Sequence, residues 1–301
     1  VTNDAKTKGW SAIVTAGPHS TVKIDGEIPY EALEKHRAAA LAELGKNVSV
    51  DGFRKGHIPE KVLLDRVGEM ALLTEMAERA LARAYPEIVS EHALDVIGRP
   101  DITITKIAKN NPFGFSARVA VVPEVILPDY KKIAREIPRN TDETPEVSSG
   151  ENPAEALASE KAVDATARHR AALTDAIIEM STIDIPQVLI DAELGQMFGQ
   201  MEHDLKRANL SIGDYLGHIK KTKEELVKEW VPAAEKRAKL QLILNEIAKK
   251  EHIEASAEKV GEEVTHLLAH YKDADENRVT LYVASTLINE EVLKMLEKQS
   301  E

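Results

Sequence analysis

The sequence predicts an α+β N-terminal domain, a small antiparallel sheet with long helices, followed by an all-α C-terminal domain. Three observations carry this reading. Period-two apolar alternation recurs before residue 137 and nearly vanishes after it. Three- and four-residue apolar spacing, the mark of a helix with one buried face, runs through both halves. Between them, residues 138–160 hold three prolines and six acids against one Arg, and the first half of that stretch has no large apolar side chain to offset its ordering entropy. The expected organisation is a first domain over 1–137, an acidic linker over 138–152 and a helical domain over 153–301, in keeping with the roughly 150 residues of a typical domain.

The elements follow in order. Trp10 to Thr15 is one candidate strand. Val22, Ile24 and Ile28 at even positions mark a second, Ile102 and Ile104 between threonines a third, and Phe113, Phe115, Ala117, Val119 and Val121 at odd positions a fourth. Tyr30 to Gly45 is rich in good helix formers and ends on a suitable glycine. Leu73, Met76, Ala80, Leu81, Ala84 and Ile88 define a second long helix. After the linker, Asn152-Pro153 reads as a helix opening. A further helix is expected from about Pro186 to Ala208. Thr222-Lys-Glu-Glu225 matches a capping box and opens a segment to about Lys250, which Pro232 should kink or divide. Ser256 can cap a helix over 257–271, and the last helix is expected over 279–298. Gly195 and Gly199, four residues apart, are expected to permit close helix packing.

Composition narrows the function classes. The 301 residues carry 39 Lys plus Arg against 51 Asp plus Glu, a formal charge of −12. A uniformly basic nucleic-acid coat is excluded. The charge is uneven: residues 1–137 hold 19 basic and 19 acidic side chains, and residues 138–301 hold 20 and 32. With no Cys there is no disulfide, thiolate zinc site or Cys nucleophile. No apolar run is long enough to span a membrane, and the first thirty residues lack the apolar stretch of a secretory signal, so the cytoplasm is the expected compartment. No Gly-x-Ser-x-Gly elbow or Gly-rich phosphate loop is present. His266 and His270 share a helical face with Glu262 and Glu263 one turn earlier, but Leu267 stands where a zincin needs its general base. No catalytic residue, metal or cofactor is assigned.

The most informative local sequence is Asp51-Gly-Phe-Arg-Lys-Gly-His-Ile-Pro59. Gly52 and Gly56 bracket it and permit sharp bends, and Pro59 pre-sets φ for a short helix carrying Val62, Leu63 and Leu64. Between the glycines stand Phe53, Arg54 and Lys55. Their chemistry suits docking, with the ring in an apolar pocket and the cations on carboxylate or phosphate. Equally, Phe53 can fold back onto its own core and leave the cations solvated.

Gly-Phe-Arg-Lys-Gly-x-x-Pro at 52–59 resembles the signature of bacterial trigger factor, a chaperone of the ribosomal exit tunnel. The strand at 20–28, the helix at 30–45, Val121-Val-Pro-Glu-Val125 and the segment to Ile137 are similar to its ribosome-binding domain. Ile183-Asp-Ile-Pro-Gln-Val-Leu-Ile-Asp191, Tyr271-Lys-Asp and the last helix resemble its helical chaperone domain. The resemblance implies that Gly52, Phe53, Arg54, Lys55, Gly56 and Pro59 bind protein and RNA of the large ribosomal subunit beside the tunnel exit. It also implies an ATP-independent holdase for nascent or unfolded polypeptides. Met197, Phe198 and Met201, and Leu242, Ile243 and Ile247, are either ordinary helix–helix core or part of a client-facing surface. Family members normally carry an FKBP-like peptidyl-prolyl isomerase domain between the two parts. Here helix resumes within about 20 residues of Ile137, fewer than the roughly 50 a domain needs, so the resemblance implies a short, isomerase-less form and no enzyme. The alternatives are an isomerase with an unrecognised site and a chaperone working free of ribosomes, as an assembly factor or homodimer.

Overall fold

In a computed structural model the structure describes residues 9–49, 53, 58–137, 153–271 and 274–300, with backbone only at 47 and 153–164. Packing divides the chain into two compact units, Val1–Pro123 and Glu124–Glu301.

The first unit is a four-stranded antiparallel sheet with helices on one face. Strands β1 (Ser11–Ala16), β2 (Thr21–Ile28), β3 (Val96–Lys106) and β4 (Phe113–Val121) lie in the order β1-β2-β4-β3. Period-two alternation places Val22, Ile24 and Ile28 opposite Val119, Ala117 and Phe113, all buried on one face. Gly26 pairs with Phe115 on that face, and a Cβ there would lie 2.5 Å from the ring, so the glycine makes room for the aromatic. The helical layer comprises α1 (Tyr30–Glu34), α2 (Arg37–Asn47), α3 (Glu60–Val67) and α4 (Glu69–Glu91). The helix expected over 30–45 is therefore two. A tight turn separates them, with the His36 N–H donating to the Leu33 carbonyl at 2.8 Å. Gly68, at φ +84°, joins α3 to α4 with backbone that favours glycine. α4 buries Leu72, Leu73, Met76, Ala77, Ala80, Leu81, Ala84 and Ile88 against the sheet. Trp10 Nε1 donates to Glu87 at 2.9 Å and ties the start of the sheet to α4.

The second unit begins before the expected linker. β5 (Val125–Ile126) pairs with β6 (Thr182–Ile183), and α5 (Tyr130–Glu136) packs among α6 (Pro153–Met180), α9 (Lys223–Glu251) and α11 (Glu276–Gln299). Tyr130, Ile133 and Ala134, at helical spacing, join Leu173, Ile177, Ile247 and Val292 in one core. The Tyr130 hydroxyl donates to Glu251 at 2.5 Å, and Ser300 Oγ donates to the Ala134 carbonyl at 2.8 Å. Residues 124–137, expected to close the first domain, thus belong with the helices, because their apolar stripe is completed there. The expected linker at 138–152 lies outside the described residues.

The remaining helices are α7 (Gln187–Arg207), α8 (Ile212–Ile219) and α10 (Ala257–His270). The Thr222/Glu225 capping box forms as expected, with bonds of 3.2 and 2.8 Å. Pro232 does not divide α9, which runs unbroken to Glu251. Ser256 stands at the cap of α10 but makes no side-chain cap bond. Two starts went unread in the sequence: the Ser211/Asp214 capping box of α8, and Asp275, which accepts from the Arg278 N–H at 2.8 Å and opens α11 earlier than expected. Gly195 and Gly199 have open space where a Cβ would stand, so they mediate no close packing; they lie on the outward face of α7. Among the described residues, no helix is long and apolar enough to cross a membrane.

Candidate functional site

Two regions follow from the sequence, the 51–59 loop and the apolar surfaces of the helical unit. In the loop, Gly52, Arg54, Lys55 and Gly56 lie outside the described residues. Phe53 sits in a bend with 43% of its surface exposed, so its ring is not folded into the core. Pro59 is the cap residue of α3, one position earlier than expected, with φ −57° and ψ 140°. The C-terminal root of the loop is fixed. Leu63 is buried in α3, and the Arg37 guanidinium on α2 donates to Glu60 at 2.5 Å. That carboxylate and Glu34 raise the Arg37 pKa, the Glu60 hydrogen bond most of all. A helix anchored by Leu63 and by the Arg37–Glu60 pair thus follows the loop.

In the helical unit the two sequence clusters separate. Ile243 and Ile247 are fully buried with Tyr130 and Val292. They are core, and the client-facing reading of these two positions is corrected: they lie on the side of α9 that meets α5 and α11. Leu242, one position before Ile243, is half-buried against a smaller cluster that includes Ile190, Leu194, Ala234 and Ala238. Met197 packs on the same cluster. Phe198 and Met201 are also half-buried. The Phe198 ring lies 4.8 Å from that of Trp230, and Lys223 Nζ stands 5.3 Å from its centroid. Such an arrangement offers a partly exposed aromatic pair on a helix that also carries two adaptable thioethers.

The most exposed apolar side chains of the unit include ones that sequence reasoning missed. On α11, Leu281 and Tyr282 are 72% and 67% exposed, and Met180, Tyr271 and Leu210 are exposed elsewhere. On another face of the pair, α10 and α11 leave an open groove of about 630 Å3, lined by Val260, Val264, Glu276, Thr280, Ala284 and Ile288. The signal was present: Leu281, Tyr282 and Val283 are consecutive, and three consecutive helical positions cannot share one face. Val283 takes the buried side. The His266 and His270 rings lie 4.8 Å apart, with His270 Nδ1 3.1 Å from the His266 carbonyl. Among the described residues no group of three or more His, Asp or Glu is placed to hold a metal.

Comparison with known proteins adds the family. Residues 12–149 match the family model described as bacterial trigger factor protein, and residues 151–299 match its C-terminus model. A single residue, Gly150, separates the two. The trigger factor of Streptomyces avermitilis is 37% identical over 127 residues, 42% of this chain and 27% of that protein. That of Nocardia farcinica is 43% identical over 109 residues, 36% and 23% of the two chains, and that of Mycolicibacterium smegmatis 38% identical over 112 residues, 37% and 24%. The matched segment thus spans about a quarter of the length of these relatives. A solved structure described as "Promiscuous Substrate Recognition in Folding and Assembly Activities of the Trigger Factor Chaperone" aligns over 97% of this chain and 100% of its own, with a TM-score of 0.63 at 14% identity, a likeness of fold. Both halves match models of one family in the family's own order, and the fold agrees: the chain belongs to the trigger factor family.

Proposed function

We propose that this protein is an ATP-independent chaperone, a holdase that covers apolar segments of nascent or unfolded polypeptides with its helical unit and docks at the ribosomal exit tunnel through the 51–59 loop. The observation that carries the reading is the exposure of Leu281 and Tyr282 on α11, with a separate open groove between α10 and α11. Such exposed apolar surface, in a domain whose sequence holds 32 acids against 20 bases over 138–301, suits weak and adaptable contacts with many chains while remaining soluble. Met197, Phe198, Met201 and Leu242 add a second, partly covered patch elsewhere on the unit. Tethering raises the effective concentration of each patch to the order of millimolar, so every contact can be weak and release needs no nucleotide.

Gly52, Phe53, Arg54, Lys55, Gly56 and Pro59 form the proposed tether. The exposure of Phe53 supports it, because a solvent-facing aromatic between glycines has no packing role of its own. The partner is the large ribosomal subunit near the tunnel exit, protein and RNA. Arg54→Ala with Lys55→Ala should weaken co-sedimentation with ribosomes and flatten its dependence on salt, with the fold unchanged by circular dichroism. Unaltered, salt-insensitive binding would sink the tether. The succession of the two family models with one residue between them supports a chain without isomerase activity. Proline-specific catalysis in a protease-coupled assay on a short Pro peptide would overturn that part.

A further inference from the structure

The helices of the first unit do not cover its sheet to the edge. On β3, Ile102 and Ile104 stand opposite Ala117 and Phe115 of β4 and share their face. Ala117 and Phe115 are buried under the helices, whereas Ile102 and Ile104 are 42% and 41% exposed. Between β3 and α4 this leaves a groove of about 450 Å3, walled by Tyr85, Pro86, Pro100, Ile102 and Ile104 and floored by Phe113.

Three features define what fits it. First, β3 is the terminal strand and is bonded only to β4 among the described residues. Between its two register shifts lies a regular stretch, residues 101–104, whose outward N–H and C=O groups form an open edge. Second, the groove wall holds a backbone acceptor without its helical donor. Pro86 has no N–H, so the Ala82 carbonyl, also on the groove wall, loses its helical donor. A purely apolar ligand would leave that carbonyl unmet, while a polypeptide backbone brings N–H donors. Third, Glu78 is exposed at the rim and has no ion-pair partner among the described residues, which supplies charge complementary to a cation.

We propose that this groove binds an extended apolar segment of a non-native polypeptide, laid alongside β3 as an added strand and carrying a Lys or Arg beside Glu78. The inference rests on the chaperone reading above and adds to it a contact of different chemistry. The helical surfaces hold side chains alone, whereas this edge also reads backbone, and its rim selects for positive charge.

The test uses the full chain and a fluorescein-labelled ten-residue peptide of Val, Leu and Thr with one central Lys, followed by anisotropy. A second peptide has Glu in place of Lys. Glu78→Lys should lower affinity for the Lys peptide about two- to fivefold, as for an exposed ion pair, and raise affinity for the Glu peptide. Ile102→Asp should lower affinity for both by about tenfold, through lost apolar contact. Hydrogen exchange at 101–104 should slow when peptide is added. Affinities indifferent to Glu78→Lys, or exchange in β3 unaltered by peptide, would overturn the proposal. So would a concentration-dependent dimer of the wild type that Ile102→Asp dissolves, since the groove would then belong to a second copy. Suppression of the aggregation of chemically denatured luciferase, and its weakening in a Leu281→Ser, Tyr282→Ser variant, reports on the helical surfaces separately. If that result holds while the peptide results fail, the groove alone is refuted; if both fail, the chaperone reading falls with it.

Discussion

Replacing Tyr130 with Phe isolates the contact that holds residues 124–137 to the helical unit. The Tyr130 ring is buried in the helical core, its hydroxyl donates to Glu251 at 2.5 Å, and Lys131 Nζ reaches the same carboxylate at 2.8 Å. Phe keeps the ring and removes one hydrogen bond. Bonds to a charged group contribute about 1.5–3 kcal/mol. Glu251 retains partial access to water, which can replace the lost donor, so the expected cost lies at the low end, about 1.5 kcal/mol. In a Glu251→Ala background the hydroxyl has lost that acceptor, and the same substitution should cost close to nothing, giving a coupling of about 1.5 kcal/mol. Urea unfolding measures it cleanly. The chain has two Trp residues, Trp10 and Trp230, one in each compact unit, so Trp10→Phe leaves Trp230 as a reporter of the helical unit. Acid supplies a second arm. The Lys131 hydrogen bond first, then that of Tyr130, holds the Glu251 carboxyl below its ordinary range. A folded pKa below the unfolded one means that the contribution is complete above the unfolded pKa, about 4.3, and is lost as pH falls through the folded value. The coupling should therefore be full at neutral pH and shrink in acid. A Tyr130→Phe cost that is the same with and without Glu251, or a coupling that grows in acid, would refute the reasoning.

Other perturbations test the same structure. A chain beginning at Glu124 should fold with a cooperative helical transition, whereas one beginning at Pro138 loses β5 and α5, uncovers Leu173 and Ile247, and should show a shallower, less stable urea transition. Gly26→Ala drives a methyl to within 2.5 Å of the Phe115 ring and should destabilise the first unit by about 1–3 kcal/mol in thermal unfolding. Leu281→Ser with Tyr282→Ser should leave stability within about 0.5 kcal/mol, because both side chains are mostly in solvent, while weakening suppression of luciferase aggregation.

Local chemistry was legible in the sequence, and distant partnership was not. The Thr222/Glu225 box needs only residues three apart, and it forms where it was read. The sheet was legible because one buried face imposes strict alternation on β2 and β4. Ile243 and Leu281 show the opposite case. Both are aliphatic side chains on amphipathic helices, yet one is buried and the other is 72% exposed, and the difference is which neighbouring helix covers each face. Likewise, the unit boundary was read from the prolines and acids of 138–152, whereas it is set by Tyr130 finding Glu251, 121 residues away. Phe53 was readable as a choice between docking and core packing; only packing shows that its ring stays outside.

That shift of boundary changes what the 138–152 segment connects. α5 and α6, which flank it, both belong to the second unit and share one core, so the segment runs between two elements of a single body rather than between bodies. The trigger factor N-terminal model, matched over 12–149, correspondingly extends past Pro123 and contributes β5 and α5 to the helical unit. Lengthening such a connection costs only loop-closure entropy, about 0.6 kcal/mol per doubling, because neither core changes. An independently folding domain inserted between Pro145 and Glu146 should therefore leave the unfolding of both units within about 1–2 kcal/mol of the parent in urea titrations read by Trp10 and Trp230. The same insertion between Pro123 and Glu124, at the boundary of the units, should be tolerated equally. Between Leu127 and Pro128 it would part β5 from α5 inside the helical body, and there the Trp230 transition should collapse. Equal tolerance at all three places would mean that β5 and α5 do not complete the helical core.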